Sequence, residues 1–434
     1  MSDFDAIIIG GGCAGFSAAT ALAERGARVL VLEARPGLGG RATAFTDAET
    51  GERVDNGQHI LMGCYVETLS FLARIGASNR VRWQAGLKVP TIDRAGHESV
   101  LALPSLPSPL HFLAGVLTWD ALKWSEKLSV LKIGSAIGNS RAVAEGTVRD
   151  WLIRNGQAPR LCELLWEPLA LAALNQSIDQ AEAAHFVTVL QLMLGPDPNA
   201  AALVLPSVPL DEMYAVPARE WITERRGEVR VGSPARVLVD GDRVTGVRVR
   251  DQLIEAPVVI STVPWHAFAA LFDDVPPSLR DTAANAAALG SLPIVTVNLW
   301  FDRAVMSEAL VGLPGRNFQW VFDRRALVGS SASHLSLTSS GAETIVNASN
   351  DQLTAMAMSE IREAIPAART AVLSKSVAVR EKRSTFSLAA GAPPRPGTRT
   401  AINGFLLAGD WIQTGLPATI ESAVMSGRLA AEAV

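Results

Sequence analysis

Three glycines near the start of the chain have the spacing that brings a backbone close to phosphate. Gly10, Gly12 and Gly15 follow the apolar run Ala6–Ile9 and precede a helical pattern. In such a turn the first glycine permits a tight bend, the second lets the backbone approach a pyrophosphate, and the third allows close helix packing. The phosphates then meet the positive end of the helix. The spacing therefore predicts a bound nucleotide cofactor.

An acid lies where such a cofactor needs one. The second apolar run ends on Glu33, which is placed to accept hydrogen bonds from the ribose hydroxyls of an adenosine. Strand, turn, helix, strand and acid occur in the required order, so the signal is stronger than the glycines alone. Arg41 follows the pair Gly39-Gly40 and is placed to neutralise a phosphate. The glycine pair by itself also fits a plain turn.

A second anionic anchor is predicted near the other end of the chain. An acid can bind hydroxyls, and helix-terminal amides can bind phosphate or ring oxygens. A flavin needs such additional contacts, whereas NAD does not. The predicted contacts are two residues that end a strand and three that begin a helix: Gly409, Asp410, Ala418, Thr419 and Ile420.

Composition excludes several other classes of protein. The 434 residues are 48% hydrophobic, which indicates a globular chain with a large core, and the net charge of −4 gives no footprint for nucleic acid. Cys13, Cys64 and Cys162 lie too far apart for a metal site or a disulfide framework. No apolar run reaches the roughly 18 residues of a spanning helix. The acidic start is unlike a signal peptide, so we expect a cytoplasmic protein.

The chain divides between two interleaved domains. A helical region follows the nucleotide fingerprint, and short strands with an Asp240-Gly241 hairpin turn begin at Glu228. The continuous apolar run 258–263 is typical of a buried parallel strand. The predicted fold is α/β, with a Rossmann-like nucleotide-binding domain formed by residues 1–75, 215–265 and 395–434. An α+β substrate domain is inserted as residues 76–214 and 266–394.

Together these motifs resemble flavin-dependent amine oxidases and carotenoid desaturases. The resemblance implies an FAD-binding domain of the amine oxidase and desaturase type, with FAD as the cofactor. The residues that it implies for the adenosine and pyrophosphate are Gly10, Gly12, Gly15, Glu33, Arg35, Gly39, Gly40 and Arg41. It places Asp410 at the ribityl chain or pyrophosphate and residues 418–420 at the isoalloxazine. Val237 would meet the adenine through its backbone, although it also fits an ordinary hairpin position.

Residues 55–60 make the resemblance more specific to one family. Asp55-Asn56-Gly57-Gln58-His59-Ile60 is similar to the segment that passes the flavin ring, and its form resembles the hydroxysqualene dehydroxylases of bacterial hopanoid synthesis. Residues 166–175 and Trp411 resemble the same family. The resemblance places Gly57, Gln58 and His59 beside the flavin. We expect His59 or Asp55 to donate a proton. A structural role is the alternative for His59, and local pairing is the alternative to a substrate role for Glu167.

The resemblance implies a reaction on a long apolar isoprenoid. Reduced flavin would deliver hydride to an allylic carbon of hydroxysqualene while the hydroxyl leaves as water. Residues 110–116, 164–174 and 186–194 could line the apolar tunnel, although ordinary core packing predicts the same composition. No nicotinamide site is visible, so a separate reductase or free reduced flavin would supply the electrons.

Three alternatives share the architecture. A carotenoid desaturase would run hydride transfer in the opposite direction, with the same fold and cofactor. An amine oxidase is disfavoured because only Tyr65 and Tyr214 exist to build paired aromatic walls. An isoprenoid escort protein would need no chemistry, but the intact phosphate glycines and Gly409-Asp410 argue against it.

The substrate also bears on location. An apolar substrate of this length comes from a bilayer, so we expect peripheral membrane attachment. Trp119, Lys123, Trp124 and Lys127 fall three or four residues apart in a helical pattern over 110–137 and could share one helix face. They fit an interfacial helix with aromatics at headgroup depth and, equally, an amphipathic helix of a soluble domain.

Overall fold

The computed structural model describes residues 3–138, 145–330 and 333–434. The strands are β1 (Ala6–Ile9), β2 (Val29–Leu32), β3 (Ala44–Thr46), β4 (Arg53–Asp55), β5 (Leu61–Met62), β6 (Val81–Trp83), β7 (Lys88–Ile92), β8 (Glu98–Ala102), β9 (Leu203–Pro206), β10 (Glu228–Arg230), β11 (Ala235–Asp240), β12 (Arg243–Val249), β13 (Gln252–Glu255), β14 (Val258–Ser261), β15 (Ser291–Phe301), β16 (Leu310–Gly312), β17 (Trp320–Asp323), β18 (Ser333–Ser340), β19 (Leu373–Phe386) and β20 (Phe405–Leu407). The helices are α1 (Cys13–Glu24), α2 (Val66–Arg74), α3 (Leu110–Thr118), α4 (Trp124–Ser129), α5 (Ile133–Gly138), α6 (Val148–Arg154), α7 (Pro159–Leu161), α8 (Glu167–Leu174), α9 (Ala183–Met193), α10 (Leu210–Glu224), α11 (Arg280–Ala288), α12 (Arg324–Val328), α13 (Asn350–Ala364) and α14 (Ile420–Glu432).

A parallel five-stranded sheet brings three distant parts of the chain together. Its order is β10-β2-β1-β14-β20, and each neighbouring pair is parallel. The strands β1, β2, β14 and β20 are buried, as strands covered by other elements on both faces should be. This sheet confirms the predicted α/β class and the Rossmann-like domain, and the run 258–263 contributes its parallel strand β14. The predicted domain boundaries stay predictions.

Antiparallel sheets make up most of the remaining β-structure. The hairpin β11-β12 turns at Asp240-Gly241 and continues into β13, as the sequence predicts for the turn. A seven-stranded sheet has the order β19-β15-β18-β17-β16-β7-β8 and is antiparallel except between β16 and β7. The strand predicted near residues 294–301 lies in this sheet as β15. One face of β15 and β18 packs in an apolar core with α13.

The predicted helix over 110–137 is wrong in its continuity. The chain leaves the helical conformation at Trp119 and resumes it at Trp124. The Trp119 side chain is buried, and its indole N–H donates to the Ser99 hydroxyl at 3.1 Å, so tertiary packing ends α3 there. Trp119 and Trp124 therefore do not share a face. Trp124 is exposed, and the Lys127 ammonium lies 4.9 Å from its ring centroid.

The first and last helices pack unusually closely. A Cβ placed on Gly427 of α14 would lie 2.2 Å from the Ala14 carbonyl oxygen and 2.8 Å from the Ser17 Cβ. Only a glycine allows this approach of two backbones. The hydroxyl of Ser17 also donates to the Val424 carbonyl at 2.7 Å. The contact holds the N-terminal fingerprint and the C-terminal helix in one unit.

Helix length and hydropathy show whether a helix could span a bilayer. Within the described ranges, no helix combines the length and the apolar character needed to cross a bilayer.

The contact between α1 and α14 gives a stability prediction. We expect Gly427→Ala to lower the free energy of unfolding by about 1–3 kcal/mol, because the new methyl group overlaps α1 backbone. Chemical denaturation measures the change. Gly397→Ala is the matched control, since Gly397 is exposed with open space around it. Equal stability of the two variants would contradict the close packing.

Candidate active site

The glycine turn closes against the first helix. Gly10 has φ +118°, which favours glycine, and a Cβ on Gly15 would lie 1.9 Å from the Gly10 carbonyl oxygen. No side chain caps the N-terminus of α1, which begins at Cys13. Gly10 and Gly12 line a large cavity. The first amides of α1 are therefore available to an anion there.

Glu33 stabilises this turn and borders the same cavity. Its carboxylate accepts hydrogen bonds from the backbone amides of Gly11 and Arg35, each at 2.8 Å. Glu33 follows the last residue of β2, and both Glu33 and Arg35 line the cavity wall. The acid is thus held rigidly at the carboxyl edge of the sheet. Its predicted contact with a ribose is sterically open.

An ion pair joins the two ends of the chain at the cavity. The Arg41 guanidinium donates to both carboxylate oxygens of Asp410, at 2.5 and 2.9 Å. Arg41 also donates to the Ser384 carbonyl at 2.8 Å and lies 5.4 Å from the Trp265 ring centroid. Asp410 directly follows Gly409 at the end of the β20 segment. The two predicted anion-binding elements, 369 residues apart, therefore meet.

The space beside this pair fits a pyrophosphate. A Cβ built on Gly40 would lie 3.4 Å from the Gly12 Cα, and one on Gly12 would lie 3.9 Å from the Gly40 Cα. Two glycine backbones thus face each other across a gap that side chains would fill. Arg41 supplies the positive charge beside the gap, and both glycines line the cavity. This cradle matches the phosphate portion of a dinucleotide cofactor.

The C-terminal helix presents a second N-terminus to the cavity. Thr419 caps α14, and its hydroxyl accepts from the Ser422 amide at 3.1 Å. Ala418, Thr419 and Ile420 all line the cavity, as predicted. Glu421, in the first turn, accepts from the amides of Glu67 and Thr68 at 2.9 Å. It therefore fixes α14 to the start of α2.

Gly57, Gln58 and His59 lie along the cavity wall. The His59 Nδ1 is 2.8 Å from the Gly57 carbonyl oxygen, so Nδ1 carries the proton in that contact. Burial lowers the pKa of His59, which favours the neutral ring. The remaining nitrogen, Nε2, is then an acceptor. This state disagrees with the predicted role of His59 as a proton donor.

Asp55 lies outside the cavity lining. Its carboxylate pairs with the buried Arg324 guanidinium and accepts from the Leu210 amide at 2.9 Å. Arg324 also donates to the Gln58 amide oxygen at 2.8 Å. Asp55 therefore acts on the site by fixing the Gln58 segment through Arg324. The prediction that Asp55 donates a proton to substrate is corrected, because its carboxylate is committed to these partners.

Val237, the residue predicted to meet the adenine, lies outside the cavity lining. Val237 packs in the core near the three-stranded sheet, whereas Ser233 and Ala235 line the cavity. The Ser233 amide donates to the Glu33 carbonyl at 2.8 Å, which brings this segment to the ribose end. The sequence signal for these residues is their position just after β10, because ligands of open α/β sheets bind beyond the carboxyl ends of parallel strands.

The cavity continues from the nucleotide end deep into the inserted domain. Its volume is about 610 Å³. All three segments proposed to line a tunnel contribute to its walls, together with Trp119. The apolar lining from them comprises Phe112, Leu164, Leu165, Leu169, Leu171, Val189, Leu190, Leu192, Met193 and Leu194. The cavity is therefore polar at the glycine turn and apolar at its far end.

Glu167 and Tyr65 remain to be placed relative to the cavity. Glu167 accepts from the Ile178 amide at 3.0 Å and is absent from the cavity lining, so its local pairing is the correct alternative. Tyr65 lines the cavity, and its hydroxyl makes no hydrogen bond within the described residues. Burial, with the nearby Cys64 and Glu421, raises the pKa of Tyr65. Its position six residues after His59 in one wall segment was the available signal.

The glycine cradle, the two helix N-termini and the Arg41–Asp410 pair define a dinucleotide-binding flavoprotein with a long apolar cavity. Comparison with protein families agrees. Residues 13–434 match the model of the flavin-containing amine oxidoreductases, and the chain belongs to that family. It is a flavin-dependent oxidoreductase, and its cofactor is FAD.

Individual relatives carry two different names. The chain is 30% identical to hydroxysqualene dehydroxylase of Rhodopseudomonas palustris, over 98% of this chain and 97% of that protein. It is 26% identical to 15-cis-phytoene desaturase of Synechococcus elongatus, over 98% of this chain and 95% of that protein. An oxidoreductase structure from Methanosarcina mazei has a TM-score of 0.77 at 15% identity, covering 98% and 99% of the two chains, and supports the fold.

The Arg41–Asp410 pair gives a prediction for cofactor affinity. We expect Arg41→Met to weaken FAD binding about 10- to 100-fold, because a charge-assisted contact to the cofactor is lost and the Asp410 carboxylate remains unpaired. Titration of the deflavinated protein with FAD measures it. Arg82→Met, at an exposed arginine bonded to the Ala326 carbonyl, should bind FAD normally. Unchanged affinity in Arg41→Met would remove Arg41 from the cofactor site.

Proposed function

We propose that the protein catalyses the FAD-dependent reductive dehydroxylation of hydroxysqualene to squalene, a step of hopanoid or triterpenoid biosynthesis. The observation that carries the proposal is the single cavity that joins the flavin-binding elements to a wall of leucine, valine and phenylalanine side chains. Relatives named hydroxysqualene dehydroxylase align over 97% of their length, which supports it. A reductase or free reduced flavin would supply the electrons.

The inserted domain suits a long hydrocarbon. Apolar walls bury the chain and exclude water, which protects a reactive allylic centre. FAD, when bound in its two-electron reduced form, supplies a hydride. The protein then has to hold one carbon in place and deliver a proton to the leaving oxygen.

The polar side chains of Tyr65 and His59 line the same cavity as the apolar wall. Tyr65 offers an unpaired hydroxyl that stays protonated, so it can donate a hydrogen bond to the substrate hydroxyl. The neutral His59 offers Nε2 as an acceptor. Tyr65 is half-buried and lines the cavity, and a hydroxyl placed there favours a substrate that carries a hydroxyl over one that lacks it. We therefore assign the contact with the leaving oxygen to Tyr65.

A carotenoid desaturase is the second candidate. The alignment with phytoene desaturases over nearly the whole chain favours it, and a carotenoid precursor would occupy the same apolar cavity. An amine oxidase fits less well. Of the two tyrosines in the chain, Tyr214 is buried and donates to the Gly39 carbonyl at 2.6 Å, which leaves Tyr65 alone at the cavity.

An anaerobic single-turnover experiment tests the function. Photoreduced protein mixed with hydroxysqualene should regain the absorbance of oxidised flavin and form one squalene per flavin, because hydride leaves the flavin for carbon. Tyr65→Phe should slow this step at least about tenfold, as expected when a group that contacts the leaving oxygen is lost.

Other substrates provide the controls. Phytoene mixed with the oxidised protein should leave the flavin oxidised, and amines should have no effect. If phytoene bleaches the oxidised flavin and hydroxysqualene does not oxidise the reduced flavin, the protein is a desaturase and the dehydroxylase proposal is refuted. If Tyr65→Phe oxidises its flavin at the same rate as the wild type, Tyr65 does not contact the leaving oxygen.

We further propose that the protein attaches peripherally to a membrane through the inserted domain. Large apolar side chains at the surface there are Leu106, Leu110, Trp124, Leu128 and Leu131. The Ser108 hydroxyl donates to the Leu194 carbonyl at 2.7 Å, so this surface adjoins the end of the cavity. Leu192 both lines the cavity and is exposed. A hydrocarbon could then pass between bilayer and cavity without crossing water.

Vesicle flotation tests the attachment. Leu128→Glu combined with Trp124→Glu should abolish most co-flotation with vesicles of phosphatidylcholine and phosphatidylglycerol, because charge in the apolar layer is unfavourable. Leu253→Glu is the control, since Leu253 on β13 is also an exposed leucine. Full flotation of the double variant would show that this surface is not the attachment site.

A further inference from the structure

A buried polar stripe runs along one face of the seven-stranded sheet. Thr296 and Asn298 of β15 stand on it, and Thr338 of β18 lies opposite Thr296 in the register. The alternating residues Val295, Val297 and Leu337 point to the other face and form an apolar core. Arg324, at the start of α12, is also buried beside the site. We define the polar stripe as Thr296, Asn298, Thr338 and Arg324.

Each member of the polar stripe has a polar atom without a partner. Within the described residues, Thr296 Oγ1, Asn298 Nδ2, Thr338 Oγ1 and Arg324 Nη2 make no hydrogen bond, and all four side chains are more than nine-tenths buried. Buried polar groups without partners are costly and rare. When several occur together, bound water molecules are the usual partners. Four of them along one face indicate a file of water.

The inner end of the polar stripe meets the cavity. Thr338 lines it. Thr296 lies under the flavin-binding segment, because a Cβ on Gly57 would be 3.5 Å from Thr296 Oγ1. The carbonyl of the same Gly57 is bonded to His59. A water at Thr296 and Thr338 would therefore lie beside the reacting end of the cavity.

The outer end leads toward solvent. The Asn298 side-chain oxygen lies 2.9 Å from His334 Nε2, and His334 Nδ1 lies 3.4 Å from a Glu52 carboxylate oxygen. Glu52 also accepts from the Trp300 indole at 3.0 Å, and its side chain is 21% exposed. Trp300 lies four positions after Thr296 in β15, a distance of about 13 Å in a strand. The polar groups thus continue from the cavity to the surface.

We propose that the polar stripe binds a file of water molecules through which the reaction proton moves between the cavity and Glu52. The inference rests on the proposed function, whose balance needs such a route. In the proposed reaction the C–O bond would break, a hydride supplied by reduced FAD would complete the new C–H bond, and the oxygen would take one proton and leave as water. In the desaturase direction the same route would carry the released proton outward.

A crystal structure of the FAD-bound protein tests the water file without any substrate. Ordered waters should bridge Thr296 Oγ1, Asn298 Nδ2 and Arg324 Nη2. The variant Thr296→Val should gain no thermal stability, because it removes a water-bonded hydroxyl. The absence of ordered water along the polar stripe would overturn the proposal. A higher melting temperature of Thr296→Val would also overturn it, because it would show that the variant removes an unsatisfied hydroxyl.

Single-turnover kinetics test proton movement. Thr296→Val and Asn298→Leu should each slow flavin oxidation by hydroxysqualene about tenfold and increase the solvent deuterium isotope effect, with FAD content unchanged. Ser339→Ala is the control, because Ser339 lies on the opposite face of β18. Unchanged rates and isotope effects in both variants would refute the proton route. Failure of the wild type to use any substrate would instead refute the proposed function, and the crystal structure would still decide the water file.

Discussion

The constraint on which the rest of the structure depends is the meeting of the two chain ends at the carboxyl edge of the parallel sheet. Arg41 and Asp410 pair there with two hydrogen bonds, and Asp410 is almost fully buried. Burying charges is costly unless their geometry is good. The close contact at Gly427 holds α14 against α1 and so maintains that geometry. Every wall of the cavity is positioned relative to this junction.

The junction also divides the cavity chemically. On one side, backbone amides, Glu33 and Arg41 suit phosphates and hydroxyls; on the other, the inserted helices offer almost only hydrocarbon. Polar groups that reach the boundary are therefore few, and each has a specific consequence. His59 is kept neutral by burial and by its bond to Gly57. Burial raises the pKa of Tyr65, which lines the same cavity, so its hydroxyl stays protonated and can donate a hydrogen bond.

The sequence predicts the elements that depend on residues close together in the chain. It does not predict contacts between residues that are far apart in the chain. The order strand, glycine turn, helix, strand and Glu33 is local, and the structure reproduces it. The local sequence predicts a proton donor at Asp55, because its partner Arg324 lies 269 residues away along the chain. The local pattern also fits a surface helix at Trp119, whereas the folded chain buries this side chain against Ser99. The sequence does not predict the polar stripe, because threonine and asparagine are ordinary residues in a strand. Only the pairing of the strands shows that they share one buried face.

The direction of the reaction is a separate question from the fold. Relatives named as dehydroxylases and as desaturases align with this chain over nearly its full length, so the sheet and the flavin-binding elements are common to both. Both directions exchange one hydride and one proton, and the polar stripe would serve either. The distinction must then arise where the substrate differs, at the carbon that does or does not bear a hydroxyl. Under the proposed function that carbon would lie near Tyr65, whose hydroxyl can bond an oxygen and gains no hydrogen bond from a bare hydrocarbon.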